Sequence, residues 1–243
     1  MNRNMSRQPR QRAFISAIVS LLLFPSLSFH GHANTLPDQL TLIYQGFLGK
    51  KKMGDVVKVL SREGDNYHSH SQTRVGLLLS LLAGEITESS RFRVIDGQIQ
   101  SIHYAEKRTG IKPLDQKVNF DWAKGVVEFN TVGKQKIPAT YTIDAGSLMF
   151  VFLLGDDGQL FKSGLNIVTG DEIRQFKRQA IREEVIDSSM GERTTRRIDL
   201  LRTDKENRSW TLWIDRQHKV PVKIRKQRGD EISILLLKSI EGL

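Results

Sequence analysis

The chain has 243 residues, with 37 lysines and arginines against 27 acidic residues, a formal net charge of +10 and no cysteine. The missing cysteines exclude disulfides, thiol catalysis and a lipid-modified cysteine at a processed N-terminus. A domain of this size buries roughly 70 per cent of its unfolded surface, so its core alone can stabilise it.

The first 33 residues read as a secretory signal. Arg3, Arg7, Arg10 and Arg12 form a basic start, and Ala13 to Phe24 form an apolar run closed by Pro25. Gly31 and Ala33 then supply the small residues that a cut before Asn34 requires. The apolar run is short of the ~20 residues that a bilayer core needs. No adjacent arginine pair marks the twin-arginine route. The expectation is a periplasmic protein with one β-rich domain over 34–243 and no transmembrane span after cleavage. The signal carries four arginines and no acid, so its loss lowers the net charge from +10 to +6. That excess suits a lipid or another anionic component of the envelope, and not nucleic acid in an exported protein.

Beyond the signal, turn residues recur at short intervals: Gly49-Lys50, Gly64-Asp65-Asn66, Asp96-Gly97, Lys124-Gly125, Gly133-Lys134, Met190-Gly191, Asp204-Lys205 and Arg228-Gly229-Asp230. Between them lie runs rich in Val, Ile, Phe, Tyr and Thr, which predicts antiparallel hairpins rather than βαβ units. Tyr67 to Arg74 reads as one strand. "GLLLSLLAG" (76–84) follows as a connection too short to cross a bilayer, which either plugs the end of a sheet or rims a cavity. Ile86, Glu88, Ser90, Phe92 and Val94 alternate with Thr87, Ser89, Arg91 and Arg93, and Asp96-Gly97 turns this strand into Gln98 to Lys107. The continuous apolar run Ile143 to Leu154 predicts a short buried helix with Asp144 as its N-cap. Periodicity alone leaves 171–182 open between helix and strand. Trp210, Leu212 and Ile214 then alternate with polar positions, as do Val220, Val222 and Ile224. The fold class is mainly β: a single antiparallel, strongly curved sheet or half-open barrel with one or two short helices.

Four segments occur in an order that carries a resemblance: "GFLGKKKMGDVVKVLSREGDNYHSHSQTRVGLLLSLL", "VNFDWAKGVVEF", "IDAGSLMFVF" and "WTLWIDRQHKVPVKI". Together they resemble the exported proteobacterial domain-of-unknown-function family 3108. The resemblance implies an exported β-rich domain without assigned chemistry, and it favours strand over helix for 172–186. It maps the family's preferred positions onto Asp121, Trp122, Asp144, Ser147, Trp213 and Pro221, all of architectural type. The chain departs from the family at "SSMGE" (188–192), a corner without the family's proline.

No catalytic or cofactor signature is present: no G-x-S-x-G, no phosphate-binding loop, no G-x-G-x-x-G and no H-E-x-x-H. His68 and His70 share one face of a strand and are weak metal candidates, with His103 or Glu88 as a third ligand. Asp121 beside Trp122 is the one carboxylate singled out, and hydrogen bonding to a turn backbone is the better explanation of it. Basic residues gather at Lys50–Lys52, Arg174–Arg182 and Lys219–Arg228, where alternation assigns them mainly to outer strand faces. The leading expectation is a binding or carrier-like domain for an apolar or amphiphilic envelope ligand, with Leu77, Leu78, Leu81 and Leu82 as its apolar contacts. The alternatives are a non-catalytic structural or interaction protein of the envelope and, third, a hydrolase acting on cell-wall or glycan material.

Overall fold

The computed structural model describes residues 35–75, 84–155 and 161–243. In chain order the first half gives β1 (Gln39–Leu48), β2 (Lys51–Glu63), β3 (Asn66–Val75), β4 (Ile86–Ile95), β5 (Gln98–Arg108), β6 (Leu114–Asp121), β7 (Val126–Phe129) and β8 (Gly133–Lys136). Next come β9 (Thr142–Asp144), a 3₁₀ helix (Leu148–Leu154), β10 (Leu165–Val168), β11 (Ile173–Ser188), β12 (Gly191–Arg202), β13 (Arg208–Asp215), β14 (Pro221–Arg228) and β15 (Glu231–Glu241). All these strands join one sheet, ordered β8 to β1 and then β15 to β9, so β1 pairs with β15 at its middle. Only β9 and β10 run parallel.

This order dictates the curvature. A flat sheet of this many strands, spaced about 4.8 Å apart, would set its edges roughly 65 Å from one another. The two edge strands are β8 and β9, and residues 137–141 alone connect them. That connection reaches at most about 20 Å. The sheet therefore has to curl until its edges nearly meet, although no β8–β9 ladder closes it into a barrel. The single curved sheet expected from the sequence is the one observed, except that the parallel β9–β10 pair makes it mixed and not wholly antiparallel.

Period-2 alternation places the core. On β1, Leu40, Leu42 and Tyr44 are buried, and their partners Leu60, Lys58 and Val56 on β2 share that inner face. The register carries the face on through Tyr67, Phe92 and Ile99 in one direction, and through Leu237, Ile224, Leu212 and Ile198 in the other. Tyr67 stacks on Phe92 at 5.7 Å, and Phe92 stacks on Phe150 of the 3₁₀ helix at 6.0 Å. Asp96 and Gly97 join β4 to β5 with φ of 51° and 73°, the left-handed pair that a two-residue hairpin turn needs.

The segment from β9 to β10 crosses the inner face as a strap. Leu148, Phe150, Val151, Phe152 and Leu154 are all buried, and with Phe161, Leu165 and Ile167 they join Leu40, Leu60 and Phe92 in one core. The expected helix is therefore shorter than the apolar run. It starts after Ser147, which makes no side-chain cap. Asp144 ends β9 instead of capping the helix, because its carboxylate is taken up by the preceding turn. Residues 173–188 are strand, as the resemblance implied, and the corner at 188–191 closes without proline. Ser188 Oγ donates to Gly191 O at 2.7 Å there, and Gly191 takes a φ of 86°. No helix among the described residues is long and apolar enough to cross a membrane.

Candidate functional site

Three places on the molecule bear on function, and residues singled out from the sequence lie in the first two and at scattered positions besides. The first is the strap anchor. Asp144 is fully buried, and its Oδ2 accepts from Ser90 Oγ at 2.8 Å and Ser101 Oγ at 2.6 Å. Its Oδ1 accepts from the backbone N–H groups of Gly146 and Ser147 at 2.8 and 3.0 Å. Ser147 Oγ donates to the Asp144 carbonyl, so it is a structural hydroxyl in a closed turn. A β-carbon on Gly146 would approach Ser90 Cβ to 2.8 Å, which shows how closely the turn lies on β4. Trp122 holds the same region from the other side, donating to Ser101 O at 2.7 Å and stacking on Phe120.

The remaining architectural positions lie elsewhere. Asp121 accepts from the backbone N–H and the ammonium of Lys124 at 3.0 and 2.7 Å, closing the β6–β7 turn away from any cavity. Those bonds hold its carboxyl below the usual range. Trp213 is buried on the outer face under Arg197 and Lys223, at 5.2 and 4.6 Å from its ring. Pro221 opens β14, and its carbonyl accepts the Tyr44 hydroxyl at 2.8 Å.

The second place is the outer face of β3–β5. His68 lies beside Arg91, and Arg91 beside His103, so His68, His70 and His103 do share one shallow recess. Glu88 is on the opposite face, where its register partners are Ser71 and Glu106, and so cannot complete a ligand set. His68 Nε2 is 2.9 Å from Glu63, while His103 Nδ1 is 2.8 Å from Asn119 Oδ1. Among the described residues no three His, Asp or Glu side chains come together as metal ligands. Leu77, Leu78, Leu81 and Leu82 lie outside the described residues.

The third place was not singled out from the sequence. At the end of the interior that the strap leaves open, the inner face turns from apolar to charged. A recess of about 170 Å³ is lined by Phe176 and Trp210, by Arg174, Arg202, Arg208, Lys226 and Arg228, and by the single acid Glu231. The sequence reading assigned the 174–182 and 219–228 clusters mainly to outer faces. Parity overturns this for Arg174, Lys226 and Arg228. On β14 the inner residues are Val222 and Ile224, and the same face continues two and four residues later as Lys226 and Arg228. Arg208 and Trp210 continue the Leu212 face of β13, and Arg202 continues the Leu200 face of β12.

Two of these cations are internally neutralised. Arg202 is 4 % exposed and donates to Glu172 at 2.8 Å and to both oxygens of Asp204 at 2.7 Å. Arg174 donates to Glu172 at 2.8 Å. Burial alone would raise Glu172, but Arg202, Lys205 and Arg174 outweigh it and hold the carboxyl at about 2. Lys226 is different: its ammonium lies 4.3 Å from the Trp210 ring centroid and has no paired carboxylate among the described residues. Water reaches much of Lys226, yet the surrounding strands crowd it, and this burial lowers its pKa despite the attraction of Glu88. Glu88 belongs to a second charged group deeper inside, with Lys58 at 3.8 Å and the Tyr104 hydroxyl donating at 3.1 Å. Lys58 is 2 % exposed and also donates to Gly146 O, tying this group to the strap.

Such a recess can hold an anion and position an apolar group against an indole. Its side chains are cations, aromatics, one amide, one hydroxyl and one acid. No curated protein matches the chain. The family described as protein of unknown function (DUF3108) matches residues 42–232, from the second inner-face leucine of β1 to the start of β15, and the chain belongs to that family.

Proposed function

We propose that the protein is a non-catalytic binding domain of the cell envelope, exported to the periplasm with its first 33 residues removed, which takes an amphiphilic ligand at the open end of its curled sheet. One observation carries this reading. The strap packs into the core, and beside that same core the ends of β11 to β15 keep a recess with an aromatic wall, Trp210 and Phe176, beneath a ring of cations. Cations without paired carboxylates among the described residues, beside an exposed edge of indole, form a surface that an anionic, partly apolar ligand would complete. The recess is below the roughly 300–1,000 Å³ of pockets that enclose a whole drug-sized ligand. It therefore suits one end of an amphiphile, with the rest projecting from the open side.

The test is native mass spectrometry of the protein purified from envelope extracts without detergent, followed by solvent extraction. The expected result is a retained amphiphile in stoichiometric amount. A ligand-free protein that also fails to bind any added single-chain amphiphile, yet crosslinks to one protein partner in intact cells, would replace this reading with a structural one.

A further inference from the structure

Five cationic side chains face the recess, and their partners divide them. Arg174 and Arg202 are committed to Glu172 and Asp204. Arg208, Lys226 and Arg228 form no ion pair with a carboxylate among the described residues, although Glu231 stands opposite Arg228 at the β14–β15 turn. Three uncommitted positive charges against one acid leave an excess of two. Arg208 and Arg228 are moreover direct cross-strand partners on the same inner face. Directly opposed side chains have β-carbons about 4.5–5.5 Å apart, and like charges in that arrangement are destabilising. Arg208 is half-buried beside Arg202 and the Trp210 ring, while Arg228 and Lys226 stand at the exposed rim of the same recess.

We infer that the recess binds a phosphomonoester-type dianion, its oxygens held by the paired guanidiniums of Arg208 and Arg228 and by the ammonium of Lys226. This rests on the binding-domain reading above and names the ligand chemistry of the same site. Two guanidinium forks side by side match a tetrahedral oxyanion with several acceptor oxygens better than they match a planar carboxylate, which one fork already saturates. Trp210 lies on the inner face between Leu212 and Arg208, with Lys226 against its ring. It offers an apolar wall to the first carbons of whatever the phosphate esterifies. Glu172 supports the site from behind, since it holds Arg174 and Arg202 away from the anion and leaves the other three cations to it.

The experiment is isothermal titration of the purified protein, at low ionic strength and below micelle formation, with decyl phosphate, decanoate, decyl maltoside and inorganic phosphate. At about pH 8 a phosphomonoester is a dianion, because its second pKa is near 6. Decyl phosphate should bind at least about tenfold more tightly than decanoate or decyl maltoside, as expected for one additional charge-assisted hydrogen bond. Arg208→Gln and Arg228→Gln should each weaken it about tenfold and leave decyl maltoside unchanged. Lys223→Gln, which removes a cation from the outer face of β14, should change neither. Both arginine variants should melt at or above the wild-type temperature, since each removes one of two opposed like charges, so lost binding cannot be attributed to unfolding.

Equal affinity for the phosphate, the carboxylate and the maltoside would overturn the dianion inference while keeping the amphiphile reading. Inorganic phosphate binding as tightly as decyl phosphate would support the dianion site and overturn the amphiphile reading. A loss on Lys223→Gln equal to that on Arg208→Gln would reduce the effect to general charge attraction and overturn the site. Absence of binding by every probe would overturn both.

Discussion

Replacing Asp144 tests the strap anchor most directly. Its carboxylate accepts four hydrogen bonds, two from the hydroxyls of Ser90 and Ser101 and two from the backbone N–H groups of Gly146 and Ser147. In Asp144→Ala the hydroxyls can rotate toward other acceptors, but the two N–H groups stay buried and unpaired. At about 1–3 kcal/mol for each stranded group, with a further contribution from the lost hydroxyl bonds, the variant should lose roughly 3–6 kcal/mol. That is a large share of the 5–15 kcal/mol typical of whole domains. Asp144→Asn keeps a carbonyl oxygen for the two N–H groups, while Ser90 can turn to accept from the new amide, so about 1 kcal/mol is expected. Urea unfolding followed by tryptophan fluorescence measures both variants. The two should also differ with pH. Burial, which outweighs the bonds from Ser101, Ser90 and Ser147, raises the Asp144 carboxyl above its ordinary 3.8. The folded state then takes up a proton before the unfolded state does, so wild type gains on Asp144→Asn as pH falls through the folded pKa, and the gain is complete below 3.8. Loss of less than about 1 kcal/mol in Asp144→Ala would refute the claim that this turn anchors the strap.

Glu172→Gln should remove acid sensitivity of the opposite sign. The native carboxyl sits at about 2, so its contribution is present above its ordinary 4.5 and disappears as pH falls from there toward 2. After screening of this partly exposed group the difference should be about 1–2 kcal/mol, read from urea midpoints across that window. Gly170→Ala would drive a β-carbon into the Gln116 side chain, near its root as well as its tip. It should cost about 1–3 kcal/mol by thermal unfolding, and a neutral result would mean that the turn after β10 does not lie against Gln116 of β6. Tyr44→Phe strands the buried Pro221 carbonyl that its hydroxyl serves at 2.8 Å, for a loss of about 1–3 kcal/mol by the same measurement.

The hairpins were legible because alternation and turn chemistry agree. Ile86 to Val94 and Gln98 to Lys107 carry a period of two on either side of a pair that tolerates positive φ, and they fold as β4 and β5. The strap was only half legible. Its run from 143 to 154 is apolar even at the half-buried Ala145, Met149 and Leu153, so no alternation with polar residues separates β9, a turn and a 3₁₀ helix. The recess was missed for a different reason. Its residues come from five strands, β11 to β15, so no short window of sequence contains them together. A signal was nonetheless present. Extending the apolar parity of Val222 and Ile224 two steps gives Lys226 and Arg228, and running Leu212 backwards gives Trp210 and Arg208. A strand whose inward face changes from aliphatic to cationic at one end marks the mouth of a cavity, whereas charges on the alternate parity are ordinary solvated surface.

The pairing of β1 with β15 imposes an order on how the molecule can form. Every other neighbouring pair in the antiparallel ladder is a short-range hairpin, but this seam joins Thr41 to Glu241. Two independent meanders, β1–β8 and β9–β15, can each zip locally, and each then presents a long unpaired edge until the other arrives. The β15 edge carries Ile234, Leu235, Leu236 and Leu237, so an incomplete chain exposes its stickiest backbone at the centre of the future sheet. Closing so distant a contact is slow in topological terms, and exposed edges of this kind recruit foreign strands. Refolding should therefore show a late, rate-limiting step sensitive to substitutions at the seam.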